Sequence, residues 1–476
     1  MQRDGPVTAA PRPRTTVAGV PIIPDRPRVP VVPPPPRPPV AKPPVASASP
    51  VPKAASNPSP RSAGTRPVPP SDTTAAAVDV VTYRPNWPQF RGPDRANRST
   101  DRGLLERWPA DGPRVFWVAR GLGEGYSSVS TDGRVLLTMG NLEDHEAVIA
   151  LDFETGRRLW TYRNGPAYRN GQGNGPRSTP TIDGDRLYAL GASGDLSCAE
   201  LATGRVLWRR NILRDFGGRN ITWGISESVL IDGDRLICTP GGNRATVVAL
   251  DKNTGETLWT CQVTGRPQAS YASPIVITVG AVRQYVVFTS KNVVGIEAET
   301  GRELWANGSS ANSTANCSTP VFEDGLLFSA SGYGTGGACL RLAPGPNGTI
   351  ARELYTTKEM KNHHGGMVVV DGYLYGSSDP GILTCIELRT GRVMWKNRSV
   401  GKGSVTYADG HIYLRSERGP VALVRATPNG YEEHGRFAQP QRSNRPAWPH
   451  PVVTGGRLFL RDMDILLCYD LRPEFQ

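Results

Sequence analysis

An eleven-residue segment, ALDFETGRRLW from Ala150 to Trp160, recurs at four further places in the chain. The copies are CAELATGRVLW (Cys198 to Trp208), ALDKNTGETLW (Ala249 to Trp259), GIEAETGRELW (Gly295 to Trp305) and CIELRTGRVMW (Cys385 to Trp395). The tryptophans are 48, 51, 46 and 90 residues apart, so the last gap spans two units with a degenerate copy between them. Self-similarity at this period marks a repeat architecture, in which each unit buries its apolar surface by stacking on its neighbours.

Each unit also carries a D-G turn between two runs of alternating β-branched or aromatic residues, the signature of a hairpin. These turns fall at Asp132-Gly133, Asp183-Gly184, Asp232-Gly233, Asp324-Gly325, Asp371-Gly372 and Asp409-Gly410, with Gly455-Gly456 and Gly280 as variants. The slots for a large ring also number eight when weaker copies are admitted: Trp117, Trp160, Trp208, Trp259, Trp305, Tyr355, Trp395 and Phe437. The two counts agree, and the reading is an all-β chain folded as an eight-bladed β-propeller of four-stranded antiparallel blades, a ring that leaves only short, protected edges.

Every motif position has a mechanical role. The first residue is small (Ala150, Cys198, Ala249, Gly295, Cys385), which lets neighbouring sheets approach. The third is an acid able to accept hydrogen bonds from the turn that follows. The Thr-Gly pair makes that turn. The final ring of Trp160, Trp208, Trp259, Trp305 and Trp395 fills the space between blades, which makes these residues structural. The chain ends with the first half of the motif, LLCYDL (466–471), and no tryptophan follows it, while Trp117 near the start has no motif before it. The N-terminal strand near Trp117 is therefore expected to pair with 466–471 and close the ring, giving a propeller over 86–476.

Residues 1–85 differ in kind. Half of the 44 prolines lie before Pro85, no aromatic residue precedes Tyr83, and eleven Lys/Arg against four Asp/Glu place about +7 of the net +12 on this segment. Such a composition cannot bury enough apolar surface to offset chain entropy, so a disordered, basic, partly polyproline arm is expected. The arm lacks the interleaved aromatics that stack bases, so no nucleic-acid partner is expected. The stretch from Val17 to Ile23, interrupted by Pro21, is too short for a secretory core, and nothing reaches transmembrane length. A monomer is expected. Cys198, Cys339, Cys385 and Cys468 all fall in the small slot of different blades, too far apart to bridge. There is no G-x-S-x-G, H-E-x-x-H, Walker loop or paired C-x-x-C, so no catalytic residue and no metal ligand is assigned.

The D-G and T-G turns belong on one face of a propeller. The loops entering the innermost strands and those joining second to third strands belong on the other, where the long insertions Tyr162 to Arg177, Arg209 to Gly224 and Gly430 to Pro449 should gather. Recognition residues concentrate on such loops. The residues expected to ring the channel there are Tyr126, Arg177, Glu227, Tyr271, Asn316, His363, His364, Lys402, Trp448 and His450, with Trp223 on the neighbouring insertion. The three histidines could serve acid/base or metal chemistry. The blander role, hydrogen bonding within the channel, is favoured because no Cys or carboxylate is spaced to complete a ligand set. Asp379 and Asp195 are the acids on adjoining loops.

The motif A-x-D-x-x-T-G-x-x-x-W resembles the tryptophan-docking repeat of quinoprotein (PQQ) dehydrogenases and of PQQ-like propellers without the cofactor, among them the eight-bladed lipoprotein of the outer-membrane β-barrel assembly machine. WPQFRGP (Trp87 to Pro93), GEGYSSV (Gly123 to Val129), NHHGG (Asn362 to Gly366), RSVGKGS (Arg398 to Ser404) and AWPHPVV (Ala447 to Val453) resemble a subgroup of exported bacterial PQQ-like repeat proteins. The resemblance implies a periplasmic or envelope location and a choice between two functions. One is a cofactor-free scaffold that binds a protein or glycan partner through the long-loop face. The alternative is an alcohol-type dehydrogenase holding PQQ and calcium. The dehydrogenases stack the quinone on a disulfide between adjacent cysteines and hold calcium with a Glu/Asn/Asp set. No two cysteines are adjacent here, and the calcium set does not map onto matching positions.

Overall fold

The computed structural model describes residues 82–346 and 348–475; most of the arm expected over 1–85 lies outside them. Within the described residues the chain forms eight four-stranded antiparallel sheets in a ring. Blade 1 runs outward through Ser130–Thr131, Val135–Leu142, His145–Asp152 and Arg158–Pro166, and blades 2 to 7 repeat this order. Blade 8 takes Val452–Thr454, Arg457–Asp462 and Ile465–Asp470 from the C-terminal end, and its outermost strand is Val115–Ala119 from the N-terminal side. There Trp117 lies opposite Cys468.

The motif does in three dimensions what its residue types dictate. The small residue sits directly across from the ring in Ala150/Trp160, Cys198/Trp208, Ala249/Trp259, Gly295/Trp305 and Cys385/Trp395, and a bulge follows each pair. The ring then lies over the turn glycine of the next blade. A Cβ on Gly204 would come 2.6 Å from Trp160, one on Gly255 2.9 Å from Trp208 and one on Gly301 2.5 Å from Trp259. These glycines are left-handed (φ 71, 76 and 75°), so conformation and contact both demand glycine. The indole N–H of Trp208 donates to Lys252 O at 3.0 Å and that of Trp259 to Ala298 O at 3.1 Å, one residue after the motif acid of the following blade. Asp152 in turn accepts from the Thr155 backbone N–H and hydroxyl at 2.8 and 2.7 Å, fixing the turn.

Blade 7 departs from the expected pattern. Register places Gly435, not Phe437, in the ring slot opposite Leu423, two residues farther along than in the five clear copies, while Phe437 lies opposite Val421. Trp108, from the N-terminal segment, covers Gly435 and packs edge-on against Phe437 and Tyr413 at 5.2 and 5.7 Å. All seven cysteines are free, and the four in the small slots are buried.

Candidate functional site

The channel is closed from the D-G turn side by residues 86–99, which touch the innermost strand, or the residue entering it, in every blade. Asn86 N–H donates to the Thr454 hydroxyl. Trp87 exchanges backbone bonds with Thr131, and Pro88 O accepts from Ile182. Arg95 donates to Ser228 O at 2.9 Å, to Pro274 O at 2.8 Å and to Val229 O. Arg98 reaches Glu323 at 3.1 Å, Arg91 reaches Met367 O at 2.7 Å, and Asn97 bonds Val405 O. Arg91 and Arg95 are 1% and 2% exposed, and with Asn97 they hold left-handed backbone (φ 67, 57 and 64°). Such strain persists only where the surroundings over-determine it, and here they do so through carbonyls drawn from around the ring. None of these contacts was legible in WPQFRGP, because a backbone carbonyl has no sequence signature.

Above this plug lies a cup of about 570 Å³, floored by Phe90 and open to the long-loop face. Of the residues expected around the channel, Tyr126, Arg177, Trp223, Tyr271, His363, His364, Lys402, Trp448 and His450 line it. Glu227 and Asn316 do not. Glu227 is turned into the wall, where its carboxylate accepts from Thr239 N–H at 2.5 Å and burial pushes its pKa up to about 7. Asn316 braces its own loop by donating to Thr289 O at 3.0 Å and accepting from Asn312 N–H at 2.9 Å. Asp195 is likewise bound into a blade wall by Asn211 at 3.0 Å. The Gly430 to Pro449 stretch divides: its first residues form the opposite-face turn, and strand Glu433–Ala438 carries the chain to the cup side, where Trp448 and Pro449 reach the wall. The Arg209 to Gly224 insertion contains a short helix, Ile212–Phe216, capped by the Asn211 side chain and by left-handed Gly217.

Aromatic faces dominate the walls. Tyr333, His363, His364, Trp448 and Tyr126 form a continuous arc, with successive ring centroids 4.5, 3.9, 4.9 and 4.5 Å apart. Trp223 and Tyr271, at 5.6 Å, form a second group. Between the groups, Ser273 and Thr319 line the wall at the end of a series of hydroxyls that joins blades: Thr179 N–H donates to Ser228 Oγ, Ser228 N–H to Ser273 Oγ and Ser273 N–H to Thr319 Oγ1, at 2.8, 2.9 and 3.3 Å.

The charged groups of the cup are engaged with one another. Lys402 donates to His363 Nδ1 at 2.7 Å and to Asp379 Oδ1 at 2.9 Å. Its ammonium lies 3.9 Å from Glu417, whose Oε1 is 3.0 Å from His364 Nδ1. Burial would raise the Glu417 pKa, but His364 and Lys402 hold it below the usual carboxylate range. His363 is pulled down to about 2 by burial, His364 and Lys402, and His450 to about 3 by burial and Arg91, so both imidazoles are neutral. Arg177 stacks on Tyr168 and Tyr126 and directs its donors to Gly175 O and Gly173 O at 2.6 and 2.8 Å, bracing its own insertion. Cys317 also lines the cup, but burial pushes its thiol up to about 12, which leaves no thiolate at neutral pH. Sequence reasoning missed Phe90, Cys317, Tyr333 and Glu417. Tyr333 and Glu417 sit on turns joining second to third strands, as Asp379 does, and that shared position is the signal that finds them.

A quinone with calcium does not fit this arrangement. Among the described residues no group of three or more His, Cys, Asp and Glu is placed to hold a cation. The cup-side carboxylates Asp379 and Glu417 are already engaged by Lys402 and His364, and no adjacent cysteines supply a stacking disulfide.

The model of one protein family, described as outer membrane protein assembly factor BamB, matches residues 94–229 and 219–397. Among curated relatives, the protein of that name from Shewanella oneidensis is 25% identical over 233 residues, covering 48% of this chain and 54% of its own. The one from Moranella endobia is 23% identical over 284 residues, covering 57% and 69%. The chain spans about half the length of the first curated relatives it matches. Two solved structures share the fold: BamB from Moraxella catarrhalis (TM-score 0.52, 16% identity, 75% of this chain and 99% of that one) and the quinohemoprotein alcohol dehydrogenase from Comamonas testosteroni (TM-score 0.57, 11% identity, 83% and 82%). Their low identity makes both likenesses a statement of fold alone, but the family matches together run from 94 to 397, well over half of the sequence, and the chain belongs to the PQQ-like propeller family described as outer membrane protein assembly factor BamB.

Proposed function

We propose that this chain is a non-catalytic binding propeller, a scaffold in the cell envelope that engages a protein or glycan partner through its long-loop face. The observation that carries the reading is the cup: plugged on one face, walled by aromatic side chains on the other, with its charges paired internally. Concave, mostly apolar sites with a few placed polar groups are what ligand recognition uses, while a neutral His363 held by Lys402 and a protonated Cys317 are poorly suited to nucleophilic or redox work. The relatives named as outer membrane assembly factors favour a protein partner at the envelope. Cross-linked capture from envelope fractions tests this. Trp223→Ala and Arg177→Ala, which alter the rim and its brace, are expected to abolish recovery of the bound partner; recovery equal to wild type in both variants would overturn the assignment to this face.

A further inference from the structure

We propose that the cup takes a neutral sugar ring; this rests on reading the long-loop face as the recognition surface and goes further by naming the ligand class. Two aromatic pairs, Tyr126 with Trp448 and Trp223 with Tyr271, reach the cup from opposite halves of the ring. The face of an aromatic ring carries partial negative charge, and the C–H groups on one face of a pyranose are its complement. A volume of about 570 Å³ lies within the usual range of small-molecule sites.

The polar groups between the walls point the same way. Ser273 and Thr319 accept from neighbouring backbone N–H groups, and their own O–H groups have no acceptor among the described residues. The side chains of Gln172 and Thr314, which line the cup, have no hydrogen-bond partner among the described residues. The hydroxyl of Tyr126 and Nδ1 of His450 have no hydrogen-bond partner among the described residues, on side chains that line the cup from residues 5% and 8% exposed. This is a mixture of donors and acceptors, and vicinal hydroxyls, each of which donates and accepts, complement it.

Charge decides between neutral and ionic ligands. Lys402 is engaged by His363 and Asp379, and the donors of Arg177 by two carbonyls. Among the described residues that line the cup both Lys/Arg side chains are thus engaged, so an anion would meet no uncommitted one there, and a cation would meet both Lys402 and Arg177. Either would lose hydration without a partner in return.

Trp223 and Trp448 make tryptophan emission a direct reporter. The full-length protein is titrated with cellobiose, maltose and N,N′-diacetylchitobiose, with glucuronic acid as the charged control, and calorimetry follows each variant. At least one neutral disaccharide is expected to bind saturably, with Kd tighter than about 10 mM, and to weaken about tenfold or more in Trp448→Ala. Thr314→Trp, which fills the cup from an exposed position and leaves the core intact, is expected to do the same. Absence of saturable binding by all three disaccharides, binding indifferent to both substitutions, or tighter binding of glucuronic acid overturns the inference. Envelope capture that depends on Trp223 without sugar binding overturns this inference alone. Sugar binding without such capture removes the protein-scaffold reading and leaves the sugar site standing.

Discussion

Glu146 offers the sharpest physical test of the wall beneath the cup. It is fully buried in the third strand of blade 1 and reaches across to blade 2, where its carboxylate accepts from Ala192 N–H at 3.1 Å. A Cβ on Gly191 would lie 2.3 Å from its Oε2, so the acid fits only because that neighbour is glycine. Burial pushes its pKa up to about 8 from 4.5; the Ala192 bond opposes this and Asp195 adds to it. In the native state Glu146 therefore keeps its proton between pH 4.5 and 8, while the unfolded chain has lost it. Folding takes up a proton across that window, so stability falls as pH rises, by about 1.4 kcal/mol per unit, and levels off above pH 8. Over the whole window this amounts to about 5 kcal/mol as an upper bound, since water entering beside Gly191 would lessen it. Glu146→Gln keeps the shape and removes the titration. Its stability relative to wild type, from denaturant unfolding at a series of pH values, is expected to be near constant below pH 4.5, to rise through the window and to be largest above pH 8. Contributions from Glu227, His363 and His450 cancel in the difference if the sites are independent. A difference that stays flat within about 0.5 kcal/mol from pH 4.5 to 8.5 would refute the reasoning.

The plug and the ring closure give two further expectations. Arg95→Met leaves the carbonyls of Ser228, Val229 and Pro274 without their donor, and at about 1–3 kcal/mol for each buried unpaired group, partly offset by no longer burying a cation, it should cost about 2–5 kcal/mol in chemical unfolding; an unchanged midpoint would show that the plug does not brace blades 3 and 4. Trp117→Ala removes the ring that packs on Gly156 and donates to Phe153 O at 3.3 Å, and as a half-buried aromatic it should cost about 2–3 kcal/mol. Deleting 86–120 removes plug and closing strand together and should lower and broaden the calorimetric transition, so an undiminished transition would count against this closure.

The ring was legible because its motif repeats a mechanical solution: small residue, acid, Thr-Gly turn and large aromatic each answer one local demand, and five clear copies reveal the demand. Phe437 was placed wrongly because the slot at Gly435 carries no ring and a distant residue, Trp108, supplies one, so that the nearest aromatic in the sequence is not the one in register; spacing along the chain carries no trace of such a substitution from elsewhere. At the cup, nine of the residues named from the sequence line it, while Glu227 and Asn316 do not. Strand alternation decides which of them face the channel, and a shift of one position is enough to turn Glu227 into the wall.

What makes the site individual is where the repeats stop agreeing. At one equivalent point on the innermost strands the blades carry Ser128, Thr179, Ser228, Ser273, Thr319, Gly366, Ser404 and His450, and the hydroxyls of blades 3 to 5 accept backbone N–H bonds from the blade before. Blade 6 breaks the series with Gly366, left-handed at φ 66°, where a Cβ would come 2.6 Å from both Arg91 Nη1 and His450 Cε1. The missing side chain is thus what admits the plug arginine and the buried histidine to the same corner. His450 then donates through Nε2 to His364 O at 3.0 Å, which ties the plug region to the aromatic arc. A ring of near-identical blades has no preferred direction around its axis, whereas a ligand has one. The gap at Gly366, filled by the plug arginine and by the histidine that blade 8 carries at the same point, is the asymmetry that gives this cup an orientation.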